Sequence, residues 1–198
     1  MPLDDIGVGC EAAEDGVSLL EADRSAFIWI NSHHSVVLDA ILVPVAYAGE
    51  CGMLWIAVGL TMLVAGRSDV KRTALIMLVG MVVVDRLIGQ PLGSLFHRER
   101  PYLALEGVRQ LGFHWKSSSF PSGHAHNVWI AAIMLGSRWR RLALPLSVFA
   151  LLTCYSRPYF GMHYPLDTLV GAILGISAGL AGAAIDRRLS ARARGVTR

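Results

Sequence analysis

Ser156-Arg157-Pro158-Tyr159-Phe160-Gly161-Met162-His163-Tyr164-Pro165-Leu166-Asp167 lies between two long apolar runs. Arg157 offers a fixed fork of donors that suits phosphate oxygens. His163 is a residue type that titrates near neutrality and can act as nucleophile or proton carrier. Asp167 follows four residues later, about one helical turn. There a carboxylate could accept a hydrogen bond from the imidazole, fix its tautomer and stabilise positive charge on it. Pro165 fits the first turn of a helix starting here, where its missing N–H would be unpaired anyway. Alone, the stretch also reads as a tight loop with an incidental histidine. The rest of the chain decides between the two.

The chain has 198 residues, 54% hydrophobic and 17% charged, which is apolar and poor in charge for a soluble domain. Its length fits one domain, drawn over 17–186, after a poorly ordered 1–16 and before a basic tail, 187–198. The formal net charge of +3 is small, and no nucleic-acid partner is expected. Cys10, Cys51 and Cys154 are an odd, scattered set, neither a disulfide framework nor a metal cluster. The first 25 residues are acidic and lack the basic start and apolar block of a signal peptide.

Working outward, six apolar spans can be drawn, at about 35–49, 51–66, 73–95, 124–137, 142–156 and 166–185. Several fall short of the roughly 20 residues that a crossing needs, so their ends must take in flanking residues. The expected fold is all-α: a six-transmembrane-helix bundle with an N-terminal interfacial helix over 17–31, whose apolar residues include Leu20, Phe27 and Trp29. Three arginine-bearing clusters follow alternate spans: Arg67 with Lys71 and Arg72; Arg138 with Arg140 and Arg141; and the tail from Arg187 to Arg198. With six spans they share one side, expected to be cytoplasmic, and the N-terminus shares it. Segments 96–123 and 157–165 then meet on the opposite, extracytoplasmic side of a plasma-membrane protein.

The first of these segments begins Phe96-His97-Arg98-Glu99-Arg100-Pro101 and ends Phe120-Pro121-Ser122-Gly123-His124. Ser122 suits a helix N-cap, and Gly123 lets backbone approach a ligand closely. The helix that follows would aim its free N–H groups and positive dipole end at an anion. His124 at that end could protonate a leaving oxygen. Each piece has a plainer reading: arginines snorkelling to headgroups, and an ordinary turn before a helix.

Together the segments resemble the type 2 phosphatidic acid phosphatase superfamily. Its pattern is Lys, six residues, Arg-Pro; then Pro-Ser-Gly-His; then Ser-Arg, five residues, His, three residues, Asp. The second and third parts match without a gap, as Pro121 to His124 and Ser156 to Asp167. The resemblance spans roughly positions 20–186. It implies that His163 attacks phosphorus, that Asp167 orients it and that His124 protonates the departing group. Arg100, Arg157, Ser122 and the Gly123 N–H would hold the phosphoryl oxygens, and water would release the phosphohistidine. No cofactor or metal is expected. The family lysine falls on Gly93, inside Gly89-Gln90-Pro91-Leu92-Gly93, a stretch that disfavours regular helix. Lys116 or Arg98 is expected to replace it.

The resemblance implies a phosphatase for a lipid phosphate or prenyl diphosphate, with undecaprenyl diphosphate favoured. Alternatives are phosphatidylglycerol phosphate, phosphatidate, phosphotransfer to a lipid acceptor, or a catalytically weak lipid-binding or transport protein. Asp39, Asp85 and Arg86 lie within apolar spans, where ionisable residues are costly, and Asp85 and Arg86 are expected to pair with another span. Trp115, Tyr155, Tyr159 and Tyr164 are expected in interfacial aromatic belts.

Overall fold

The computed structural model describes residues 18–48, 52–112 and 114–196. The expected disordered segment 1–16, Cys10 and Cys51 lie outside the described residues. Those described are helical with connecting loops and carry no strand: α1 (Leu19–Ser32), α2 (Val36–Ala48), α3 (Met53–Ala65), α4 (Ser68–Val84), a π-helical turn (Asp85–Gly89), α5 (Gln90–Phe96), α6 (Pro101–Ala104), α7 (Gly123–Arg138), α8 (Arg140–Tyr159) and α9 (Pro165–Val196). The all-α expectation holds.

Two described helical stretches are long and apolar enough to cross a membrane, Ser68–Ala104 and Pro165–Ala193. α1 and α2 qualify only as a pair, and that pair is bent by 110°. Leu75, Val79 and Val82 of α4, Leu144 and Leu151 of α8, and Leu169, Ile173 and Leu180 of α9 are exposed. Apolar side chains turned outward in this number need lipid around them, and the protein is a membrane protein.

The sequence at 89–93 does not break the helix. α4 runs through the π-helical turn into α5, with Pro91 in the first turn of α5. A π-helical turn adds a residue to the helical ring, which relieves the clash a proline makes with the carbonyl four positions back.

α7 lies at the centre, packed on α4, α8 and α9. Its register against α9 is set by glycine. A Cβ on Gly171 would stand 2.5 Å from the Ser122 carbonyl oxygen, and one on Gly175 would stand 2.4 Å from the His126 carbonyl oxygen. Gly179 continues this face along Ile133. Small residues at spacing four let two helix backbones approach closely. Here they bring the start of α7 against the first turns of α9, and the Ser122 N–H donates to the Asp167 carbonyl at 3.0 Å. Trp55, Met77, Met81, Ile130 and Met134 fill the core beside this contact.

The arginine clusters meet at one end. Arg72 pairs with Asp186 at 2.7 Å, Thr73 donates to the same carboxylate at 2.7 Å, and Arg138 pairs with Asp69. The loops at 97–122 and 160–164 form the other end. The N-terminal helices join the loop end, which corrects the expectation that they share the arginine side. Asp23 and Asn31 of α1 bond Arg98, Arg109 N–H and the Tyr159 carbonyl. Asp39 of α2 takes both Arg109 Nη atoms, at 3.0 and 2.8 Å, and the Tyr159 hydroxyl at 2.7 Å. α3 also starts here, with Gly52 beside Asn127 of α7. Asp23, Asn31 and Asp39 find their partners in these loops and at the adjoining ends of α8 and α9, so the helices dock there.

Candidate active site

Tertiary folding brings together residues more than sixty positions apart. His163 sits in the short loop between α8 and α9 and is 2% exposed. His124 is in the first turn of α7, and the two imidazole centroids are 6.3 Å apart. Both line a cavity of about 710 Å³ with Arg100, Lys116, Gly123 and Trp115. A hollow of similar size, between α1 and residues 104–109, holds none of the sequence-picked residues.

The His163 ring is held by a carbonyl. Nδ1 lies 2.7 Å from the Ser119 carbonyl oxygen, which can only accept, so Nδ1 carries the proton. Nε2 lies 3.3 Å from Arg100 Nη1, which can only donate. The neutral ring therefore presents its lone pair on Nε2, toward the cavity. Burial lowers the affinity of this imidazole for a second proton. The nearby Arg100 and Arg157 charges act the same way, and Asp167 opposes them.

Asp167 does not take the Nδ1 proton as expected. Its Oδ2 is 3.7 Å from Nδ1, beyond hydrogen-bond reach, and accepts the Tyr164 N–H at 2.9 Å. Its Oδ1 accepts from Arg98 Nη1 at 2.6 Å. The carboxylate is fully buried and adds negative charge behind the ring.

Arg100 is nearly buried and held by carbonyls: Nε donates to Ser117 at 3.0 Å and Nη1 to Met162 at 3.2 Å. Ser122 occupies the N-cap position of α7, yet its side chain makes no cap bond. Its Oγ is buried without a partner, and an orphaned hydroxyl beside a helix N-terminus suits an anion's oxygen. Lys116 is exposed at the cavity wall.

Two cations expected at the phosphate have protein partners of their own, and Gly93 has a close neighbour. Arg98 is not a loose cation: its other Nη donates to Asp23 at 2.5 Å, and its guanidinium stacks on Tyr164 at 3.9 Å. Two carboxylates already hold it. Arg157 is 2% exposed and donates to the Ala46 carbonyl at 3.1 Å. It lines a small pocket with Val43 and Phe160 instead of the cavity shared by the histidines. At Gly93, a Cβ would meet the Phe120 carbonyl oxygen at 3.1 Å, so the loop before the Pro-Ser-Gly-His run crowds the place where the family lysine would begin.

The other ionisable and aromatic residues divide. Asp39 pairs with the loop residue Arg109 and with the Tyr159 hydroxyl at the end of α8. Asp85 and Arg86 contact each other at 3.6 Å across the π-helical turn, both well exposed, and Gln90 donates to Asp85 at 3.1 Å. An adjacent pair would diverge on a regular α-helix. Tyr159 and Tyr164 are buried instead of interfacial, Tyr164 packing edge-on to Phe27 at 5.3 Å. Trp115 and Tyr155 are partly exposed. The sequence reading missed Asp23, the Ser119 carbonyl and the glycine face of α9. Only the last had a signal, glycines at 171, 175 and 179.

The helical membrane bundle gathers paired imidazoles and a guanidinium around one cavity, groups whose chemistry suits phosphoryl oxygens. The PAP2 superfamily model matches residues 73–190. The chain belongs to the PAP2 superfamily. It is 32% identical over 154 residues to the protein named undecaprenyl-diphosphatase BcrC of Bacillus subtilis, covering 75% of each chain. It is 30% identical over 165 residues to the bacitracin transport permease protein BcrC of Bacillus licheniformis, covering 83% of this chain and 80% of that one. Among solved structures, LpxE of Aquifex aeolicus superposes with a TM-score of 0.64 at 28% identity, over 80% of this chain and 93% of that one.

Proposed function

We propose that this membrane phosphatase of the PAP2 superfamily hydrolyses a lipid phosphate or diphosphate at the extracytoplasmic face, with undecaprenyl diphosphate as the favoured substrate. The observation that carries the proposal is the meeting of His124, His163 and Arg100 at one cavity. The Nε2 lone pair of His163 attacks the terminal phosphorus; the N–P bond forms as the P–O bond to the departing lipid alcohol or lipid phosphate breaks. His124 gives its proton to the departing oxygen. Water then attacks phosphorus, gives its proton to His124, and the N–P bond breaks. Arg100, the Ser122 hydroxyl and the Gly123 N–H meet the phosphoryl oxygens, and Lys116 takes the place of the missing family lysine. Charge stabilisation of this kind is the main demand of phosphoryl transfer.

The substrate choice rests on a relative named for undecaprenyl diphosphate and on the apolar outer faces beside the cavity. The gathering of the arginine clusters at one end supports the reading of that end as cytoplasmic and of the cavity as external. In place of six crossings, the contacts of α1 and α2 favour five: α3, α4 with α5, α7, α8 and α9. The bent α1–α2 pair then rests at the outer interface, with Leu19, Leu20 and Trp29 toward lipid.

Phosphate release by purified protein in detergent with excess chelator, across prenyl diphosphates and glycerolipid phosphates, tests the reading. His163→Ala should release none. A second reading, a weakly active lipid-binding or transport protein, draws on Gly93 and on the relative named as a permease. It prevails if wild type and His163→Ala release phosphate equally.

A further inference from the structure

We propose that Asp23, on the N-terminal helix, is a positioning residue for the reaction, acting on His163 through Arg98 and Asp167. The Asp23 side chain is 1% exposed, and both of its oxygens are committed. Oδ2 accepts from Arg98 Nη2 at 2.5 Å, and Oδ1 accepts the Leu166 N–H at 2.8 Å, in the first turn of α9. Arg98 Nη1 in turn reaches Asp167 at 2.6 Å. One carboxylate from α1 thus fixes both the guanidinium that grips Asp167 and the backbone next to it. Burying a charge is costly unless its geometry is satisfied from every side, and here it is.

The charge arithmetic gives the arrangement its purpose. Two carboxylates share one guanidinium, which leaves a net negative charge on the Nδ1 side of His163, opposite Arg100. The ring becomes positive as Nε2 bonds to phosphorus, and that is when the charge matters. Without Asp23, Arg98 and Asp167 would form a neutral pair, and Arg98 would be free to turn. Asp23 therefore keeps part of the Asp167 field directed at the imidazole. It touches no substrate. Tyr164, between Phe27 of α1 and the Arg98 plane, clamps the same chain of contacts.

This inference rests on the phosphatase reading. The experiment uses the full chain in detergent, with a long-chain prenyl diphosphate as probe. Asp23→Asn should lower kcat by about ten- to a hundredfold, the scale of a small misplacement, with KM changed by less than about twofold. The acid limb of its kcat/KM profile should move to lower pH, because a negative charge facing His163 is lost. Asn31→Ala loosens the other end of α1 but leaves Asp23 in place, and its acid limb should stay where the wild type has it. A wild-type kcat and acid limb in Asp23→Asn would overturn the inference, as would the same displaced limb in Asn31→Ala. If Asp23→Asn does not stay folded, Asp23→Glu carries the test. It should keep the wild-type acid limb and lose kcat at unchanged KM, and a wild-type kcat would sink the idea. No release by the wild type would remove the phosphatase reading itself, a different failure.

Discussion

The Ser119 carbonyl oxygen, not the Asp167 carboxylate, accepts the Nδ1 proton of His163, at 2.7 Å against 3.7 Å. Ring orientation and charge stabilisation are thereby divided between two residues. Ser119 fixes the tautomer that leaves Nε2 unprotonated, and Asp167 supplies negative charge from behind.

That division predicts a graded effect. Asp167→Asn keeps the tautomer and loses the charge, so kcat should fall roughly a hundredfold, the scale of one removed electrostatic stabiliser. His163→Ala should abolish turnover. Single-turnover phosphate release from both variants checks the difference; equal loss would mean that Asp167 also sets the ring.

Lys116 and Arg98 should separate as substrate-binding and structural cations. Lys116→Ala should raise KM several-fold, about 1 kcal/mol for an exposed pair at the cavity wall, with kcat nearly unchanged. Arg98→Ala should lower kcat and thermal stability together, because it strands two buried carboxylates, Asp23 and Asp167. Steady-state kinetics with a thermal melt of each variant distinguishes the two.

The pH profile should carry the mark of a buried nucleophile. Burial lowers the His163 pKa, so the ring stays neutral and able to attack at pH values where a free histidine, at about 6.5, is already protonated. The acid limb of kcat/KM should therefore lie below that value. His124 must be protonated to donate, so activity should also fall on the alkaline side. A profile flat from about pH 5 to about pH 9 would contradict paired histidine catalysis.

The α7–α9 contact should tolerate no side chain. Gly175→Ala places a methyl group 2.4 Å from the His126 carbonyl oxygen, and backbone must move to admit it. Overpacking of this kind costs about 1–3 kcal/mol. The shift should separate His124 from His163 and depress kcat as well as the melting temperature. Gly80→Ala, with open space around the added methyl, is the control and should be neutral.

Much was legible in the chain itself. Uninterrupted apolar residues with few charges require helices in lipid, because only there are all backbone groups satisfied within the segment. The spaced His124, His163 and Arg100 were readable as chemistry because their residue types and intervals are local facts. Partner choice is not local. Asp23 and Arg98 are 75 positions apart, and nothing in either neighbourhood names the other. The same holds for the bond from Arg157 to the Ala46 carbonyl, 111 positions away, and for the docking of α1 and α2 at the loop end. Those outcomes depend on which polar groups can be paired in the assembled bundle, where α7 and α9 meet on a glycine face. Burial makes an unpaired charge costly, and only the assembled bundle determines what lies within reach.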